Sequence, residues 1–177
     1  MGLETSNSSG CYYGFSGLGC ASNRAQDGSM MHDNLLQVLR GKTLMIVGAG
    51  GTIGAEIATQ VAQYEPSQLI CLGHHEQTLS MVRDELSRRW PRVRVLVEVA
   101  DICDYPRLTQ IFTDYCPTVV FHTAAYKHIQ LTEEDPARAV LVNVGGTLNL
   151  VELSSEIDVE HFIFTSSIKA ADPVSVM

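Results

Sequence analysis

Paired cysteines, basic residues and long apolar runs are scarce in this 177-residue sequence, and each scarcity closes off a class of function. Twelve Lys and Arg stand against twenty Asp and Glu, a net charge of -8. Nucleic-acid binding draws most of its affinity from cations laid along phosphates, so this balance argues against a nucleic-acid partner. No apolar stretch approaches the ~20 residues that a membrane-spanning helix needs. The five cysteines, Cys11, Cys20, Cys71, Cys103 and Cys116, are odd in number and form no Cys-x-x-Cys pair. They read as structural thiols of a reducing cytoplasm, neither a disulfide framework nor a zinc site, and no metal is expected. Charged residues make up only 18% of the chain, but apolar ones reach 45%, a balance that suits one core of ordinary size.

Residues 1–32 differ from the rest. They are rich in Gly and Ser, show neither helical nor strand periodicity, and lack the basic start and apolar stretch of a secretion signal, so they read as a disordered leader. Residues 33–177 alternate short apolar runs with longer amphipathic segments. Strands are expected at Thr43–Val47, Leu69–Leu72, Val93–Val99, Val119–Phe121 and Phe162–Phe164. Helical spacing joins Ile53, Ile57 and Val61, then Leu79, Val82 and Leu86, then Leu108, Ile111, Phe112 and Tyr115. Asp135-Pro136 marks a helix start, with Val140, Leu141, Val144, Leu148 and Val151 expected along its buried face. Strand and helix in strict alternation predict an α/β fold: a Rossmann-like, doubly wound parallel sheet of five strands in the order 3-2-1-4-5. Its ligands belong at the C-terminal strand ends, beside the switch point between the first and fourth strands.

The segment VGAGGTIG, Val47 to Gly54, lies between the first strand and its helix. Placed there, spaced glycines predict a dinucleotide site. Gly48 allows a tight turn, Gly51 leaves room for a pyrophosphate, and Gly54 brings the helix close to the sheet. The N–H groups of the first helical turn, at Thr52 and Ile53, then face the anion. The spacing of Gly48, Gly51 and Gly54 resembles the short-chain dehydrogenase/reductase superfamily, although Gly50 blurs that pattern. The resemblance implies that Asp101 and Ile102, after the third strand, receive the adenine. After the second strand come His74, His75 and Glu76, with neither the carboxylate that would hold an NAD ribose nor an arginine for a 2′-phosphate. NAD and NADP both stay open, and the two histidines read as polar loop residues.

The run FHTAAYKHIQLTEEDPARAVLVNVGGTLNLVEL, Phe121 to Leu153, narrows the reading. With the glycine segment before it and SSIKAADPVSVM after it, it resembles the CapD-like polysaccharide biosynthesis family. That family comprises extended short-chain dehydrogenase/reductases, including nucleotide-sugar 4,6-dehydratases and epimerases acting on UDP-N-acetylglucosamine. The resemblance implies that Ala124 and Ala125 line the nicotinamide-ribose side and that Lys127 faces a ribose or sugar phosphate. Lys127 could equally be a solvated loop cation. Asn143 would order the active-site end of the fourth strand, and Ser166 would contact the cofactor.

The same resemblance places the catalytic run of the family at Ser166-Ser167-Ile168-Lys169-Ala170. It implies catalytic roles for Ser167 and Lys169, but Ile168 stands where the family carries its acidic Asp, and an alkyl side chain cannot donate a proton. Met177 falls where relatives carry Tyr or Met, and the Lys that follows in the family lies past the end of the chain. The expectation is therefore the NAD(P)-binding part of a nucleotide-sugar dehydratase or epimerase, lacking the last strands and substrate lobe and inactive by itself. The alternative is a non-catalytic dinucleotide-binding or assembly module, pairing into a homo-oligomer through the edge near Phe162–Phe164.

Overall fold

The computed structural model describes residues 32–171, 173 and 175–176. The leader expected over residues 1–32 lies outside the described residues except at its last position. The compact unit runs from Leu35 to Met177. A helical turn ending at Leu39, itself buried, leads into the first strand.

Five strands form one sheet: β1 (Thr43–Val47), β2 (Gln68–Gly73), β3 (Arg94–Val99), β4 (Val119–His122) and β5 (His161–Phe164). All pairings are parallel, and the order is β3-β2-β1-β4-β5. The expected topology is the observed one. β1 is central because both of its faces are covered: Leu44 and Ile46 enter one core cluster, Met45 and Val47 the other. A strand buried on both faces reads as continuous hydrophobicity, which is why TLMIV shows no alternation. Val47 pairs with Leu72 on one side and His122 on the other, so the three central strands end level with one another.

The connections are helical: α1 (Thr52–Ala62), α2 (Glu76–Arg89), α3 (Tyr105–Tyr115), α4 (Ile129–Glu134), α5 (Pro136–Val140) and α6 (Thr147–Glu156). A π-helical segment, Leu141–Gly146, joins α5 to α6, and a 3₁₀ turn covers Ile168–Ala170. Two aspartates start helices as their positions suggest. Asp104 accepts the Arg107 N–H at 3.1 Å and Asp135 the Arg138 N–H at 3.0 Å, each with proline in the first turn.

Two helical faces differ from expectation. Val140, Leu141, Val144, Leu148 and Val151 do not face the core; all five are exposed. The buried positions are Ala139, Gly146, Leu150, Leu153 and Ser154. The physical reason is clearance. A Cβ on Gly146 would stand 2.5 Å from the Ile102 side chain, so the packed face takes small residues where the π segment lies closest. Similarly, α1 buries Gly54, Ala58, Val61 and Ala62, while Ile53 at its start is 59% exposed.

Candidate functional site

The turn after β1 is built around its glycines. Gly48 has φ +90°, and a Cβ there would approach the Ala124 backbone N and the Thr123 hydroxyl to 2.7 Å. This close approach lets the loop after β4 lie directly beside the turn, where the Thr123 N–H donates to Val47 O at 2.8 Å. At Gly54 the constraint is close approach to backbone just past β1. A Cβ there would collide with the Gly48 carbonyl, so Gly54 seats the helix on its own turn. Gly50, left ambiguous by the sequence pattern, faces Thr78 at the start of α2 and packs one crossover against the next. Gly51 is the least crowded of the four, although a Cβ there would still press on Gly48 O at 3.3 Å.

Helix α1 begins at Gly51 with no side-chain cap and no acidic residue in its first turn. The first N–H groups of a helix have no partner within it and carry the positive end of its dipole. Here they open onto two cavities that meet at the turn.

One cavity, about 440 Å³, extends toward β2 and β3 and is lined by His74, His75, Thr78, Asp101, Ile102 and Arg138. The other, about 520 Å³, extends toward β5 and is lined by Thr52, Ile53, Asn143, Thr147, Ser166 and Ser167. Gly48, Gly51, Thr123, Ala124, Ala125 and Lys127 line both. The sequence-predicted residues thus converge on one cleft at the C-terminal strand ends. Lys169 lies in the 3₁₀ turn, next to Ala170 of the second cavity's lining, and its side chain is outside what is described, as is Met177.

Asp101 folds back on its own loop, accepting the Cys103 N–H at 2.9 Å, and pairs with Arg138 of α5 at 3.2 Å. The backbone hydrogen bond, more than the guanidinium, holds its carboxyl below the ordinary range. Arg138 is a cleft residue that sequence reasoning missed. Its only signal was the Asp135-Pro136 helix start, which fixes where α5 begins but not what its first turn reaches.

Asn143 lies in the π segment and clamps the loop after β4. Its side-chain oxygen accepts the Tyr126 N–H at 2.7 Å, and its amide donates to Tyr126 O at 3.1 Å. A second missed residue stands behind this clamp. His122, the last residue of β4, is fully buried, and its Nε2 lies 2.9 Å from the Thr147 hydroxyl. That hydroxyl gives its one proton to Asn143 O at 2.6 Å, so the ring donates Nε2–H and keeps a lone pair on Nδ1. Nδ1 is buried without a hydrogen-bond partner, and burial holds the imidazole pKa down to about 4.

A family model described as polysaccharide biosynthesis protein matches residues 44–177. The capsular polysaccharide biosynthesis protein CapD of Staphylococcus aureus is 36% identical over 140 residues, covering 78% of this chain and 23% of the relative. The UDP-N-acetylglucosamine 4,6-dehydratase (inverting) of Campylobacter jejuni strain 81-176 is 26% identical over 140 residues, 78% of this chain and 40% of that enzyme. Among solved structures, Pen from Bacillus thuringiensis superposes with a TM-score of 0.70 at 30% identity, covering 78% of this chain and 43% of Pen. The chain spans less than half the length of each of these relatives.

Proposed function

This chain belongs to the polysaccharide biosynthesis protein family, and on that premise we propose that it supplies the NAD(P)-binding part of a nucleotide-sugar 4,6-dehydratase or epimerase. The observation that carries the reading is the pair of cavities meeting on an uncapped helix start. A dinucleotide has two nucleoside ends joined by a diphosphate, and the cleft has two chambers joined at a turn fit for an anion. The residues present fit that group. Gly51 leaves the approach open, the α1 N–H groups face it, and Lys127 adds a cation on the lining of both chambers.

Within this reading Asp101 and Ile102 sit at the adenine end, and Ala124 and Ala125 pass beside the nicotinamide ribose. Asn143 keeps their loop in place. Ser166 and Ser167 line the chamber in which the nicotinamide would lie. When bound, that ring exchanges hydride with a sugar carbon. A sugar nucleotide, UDP-N-acetylglucosamine-like, is the substrate class carried over from the Campylobacter relative. Ile168 is 92% exposed at the place the resemblance gives to the acid, and it has no proton to offer. We therefore assign this chain binding without turnover. A cytoplasmic setting fits the free thiols of Cys71, Cys103 and Cys116. Among the described residues, no helix is long and apolar enough to cross a membrane.

Calorimetric titration of the folded protein with NAD and with NADP tests the assignment. Saturable heat from at least one is expected, and silence from both removes the dinucleotide reading. A second reading, an assembly module that pairs with another copy, is favoured by the exposed apolar row on α5, the π segment and α6.

A further inference from the structure

The lining of the chamber toward β2 and β3 runs against the acidic balance of the chain. In a chain of net charge -8, its lining holds Arg138, Lys127 and three imidazoles, His74, His75 and His128, against a single carboxylate. That carboxylate, Asp101, is already engaged by the Cys103 N–H and by Arg138. Glu76 belongs to the same turn as the two histidines but is not among the residues lining the chamber. At the tip of β2 the His74 and His75 rings lie with centroids 3.8 Å apart. A neighbouring imidazole that close makes a charge on His74 costly unless an anion joins them.

Resting on the dinucleotide reading above, we propose that His74 at the end of β2 selects a 2′-phosphorylated dinucleotide, with His75 and Arg138 beside it, and that this selection is linked to proton uptake. An acidic residue at this strand end favours a free ribose, and cationic side chains favour a phosphate there. Here the strand end offers imidazoles, which become cationic only when protonated. Around His74, lining the same chamber, stand His75 from its own turn, Asp101 after β3, Arg138 from α5, and Lys127 and His128 from the loop after β4, and Glu76 follows the two histidines in sequence. Partial burial, then the neighbouring His75, lower the His74 pKa, while Asp101 acts against them and Arg138 with them. In the free protein at neutral pH this ring is therefore mostly uncharged. A phosphate dianion set against it raises its proton affinity, so binding draws in a proton. NAD, lacking that phosphate, draws in none.

The experiment measures NADP and NAD dissociation constants by calorimetry at pH 6.5 and pH 8.5, on the unaltered chain and on His74→Asn. The NADP preference is expected to grow about two- to fivefold from the higher to the lower pH, since a one-unit rise in pKa is worth at most about tenfold and reaches that limit only below the pKa of the free ring. In His74→Asn that growth is lost, since the phosphate's own second ionisation, with a pKa near ~6, makes more dianion at the higher pH and so runs the other way. NAD binding as tight as NADP at pH 6.5, or the same pH dependence in His74→Asn, overturns the proposal and leaves the dinucleotide reading standing. Silence from both dinucleotides in a sample with native circular dichroism overturns both.

Discussion

A methyl group at position 54 has nowhere to go, whereas one at position 51 asks the Gly48 carbonyl to give by a few tenths of an ångström, although both positions belong to one glycine pattern. The Cβ of Gly54→Ala would meet backbone, the carbonyl of Gly48, which cannot swing aside as a side chain can. The cost is about 3 kcal/mol or more, as for overpacking against fixed atoms. Gly51→Ala meets only Gly48 O at 3.3 Å, and its new methyl faces the approach to the α1 N–H groups. The pair should separate fold from ligand: Gly54→Ala lowers the urea midpoint sharply, while Gly51→Ala lowers it much less and gives no dinucleotide heat. A Gly51→Ala protein that binds like the parent would show that nothing approaches the backbone there. His122 gives a prediction of another kind. Its folded pKa of about 4 lies below the ordinary imidazole value of 6.5, so the unfolded chain binds the proton more readily. Stability is full above pH 6.5 and is lost as pH falls through 4, by about 3 kcal/mol in all. Urea unfolding across that window should show the loss, and His122→Asn should remove it. Equal slopes in both proteins would mean that other groups titrate there.

The elements show what a sequence can and cannot disclose. Strand positions and their order were legible because apolar runs such as TLMIV and QLICLG are separated by segments long enough for right-handed crossovers. The last crossover was misjudged. Val140, Val144, Leu148 and Val151 recur at helical spacing, and periodicity alone does not say whether an apolar row faces the core. The row that does face it is Ala139, Gly146, Leu150 and Leu153, chosen by the clearance at Ile102, which no single sequence spells out. The π segment was also hidden, since its wider turn leaves no mark on composition. That segment carries Asn143, whose two hydrogen bonds to Tyr126 hold the loop after β4. Asn143→Ala should cost about 1–3 kcal/mol, the range for stranding half-buried backbone groups. The amide of Tyr126 should then exchange with deuterium faster, while amides of β1 keep their protection. Unchanged exchange at Tyr126 would mean that the loop is held by something other than this side chain.

For the whole molecule the exposed row becomes a question of assembly. Val140, Leu141, Val144, Leu148 and Val151 line one side of the last crossover, and Ile163 and Phe164 of the edge strand β5 are exposed too. Contiguous apolar surface rimmed by polar residues marks interaction sites, and an unpaired strand edge invites pairing. With a net charge of -8, long-range repulsion opposes self-association, so any contact between copies has to be made on such a face. Light scattering across a concentration series should therefore show a dimer that survives moderate salt, because screening weakens charge repulsion and leaves apolar contact intact. Val144→Glu combined with Leu148→Glu should yield a monomer. Both side chains are more than half exposed, at 62% and 53%, so the unfolding free energy of the monomer should move by less than about 1 kcal/mol. A parent chain that stays monomeric throughout the series would set aside the assembly reading. A double variant that still dimerises would move the contact from the crossover helices to the β5 edge, where a proline at Ile163 tests it next.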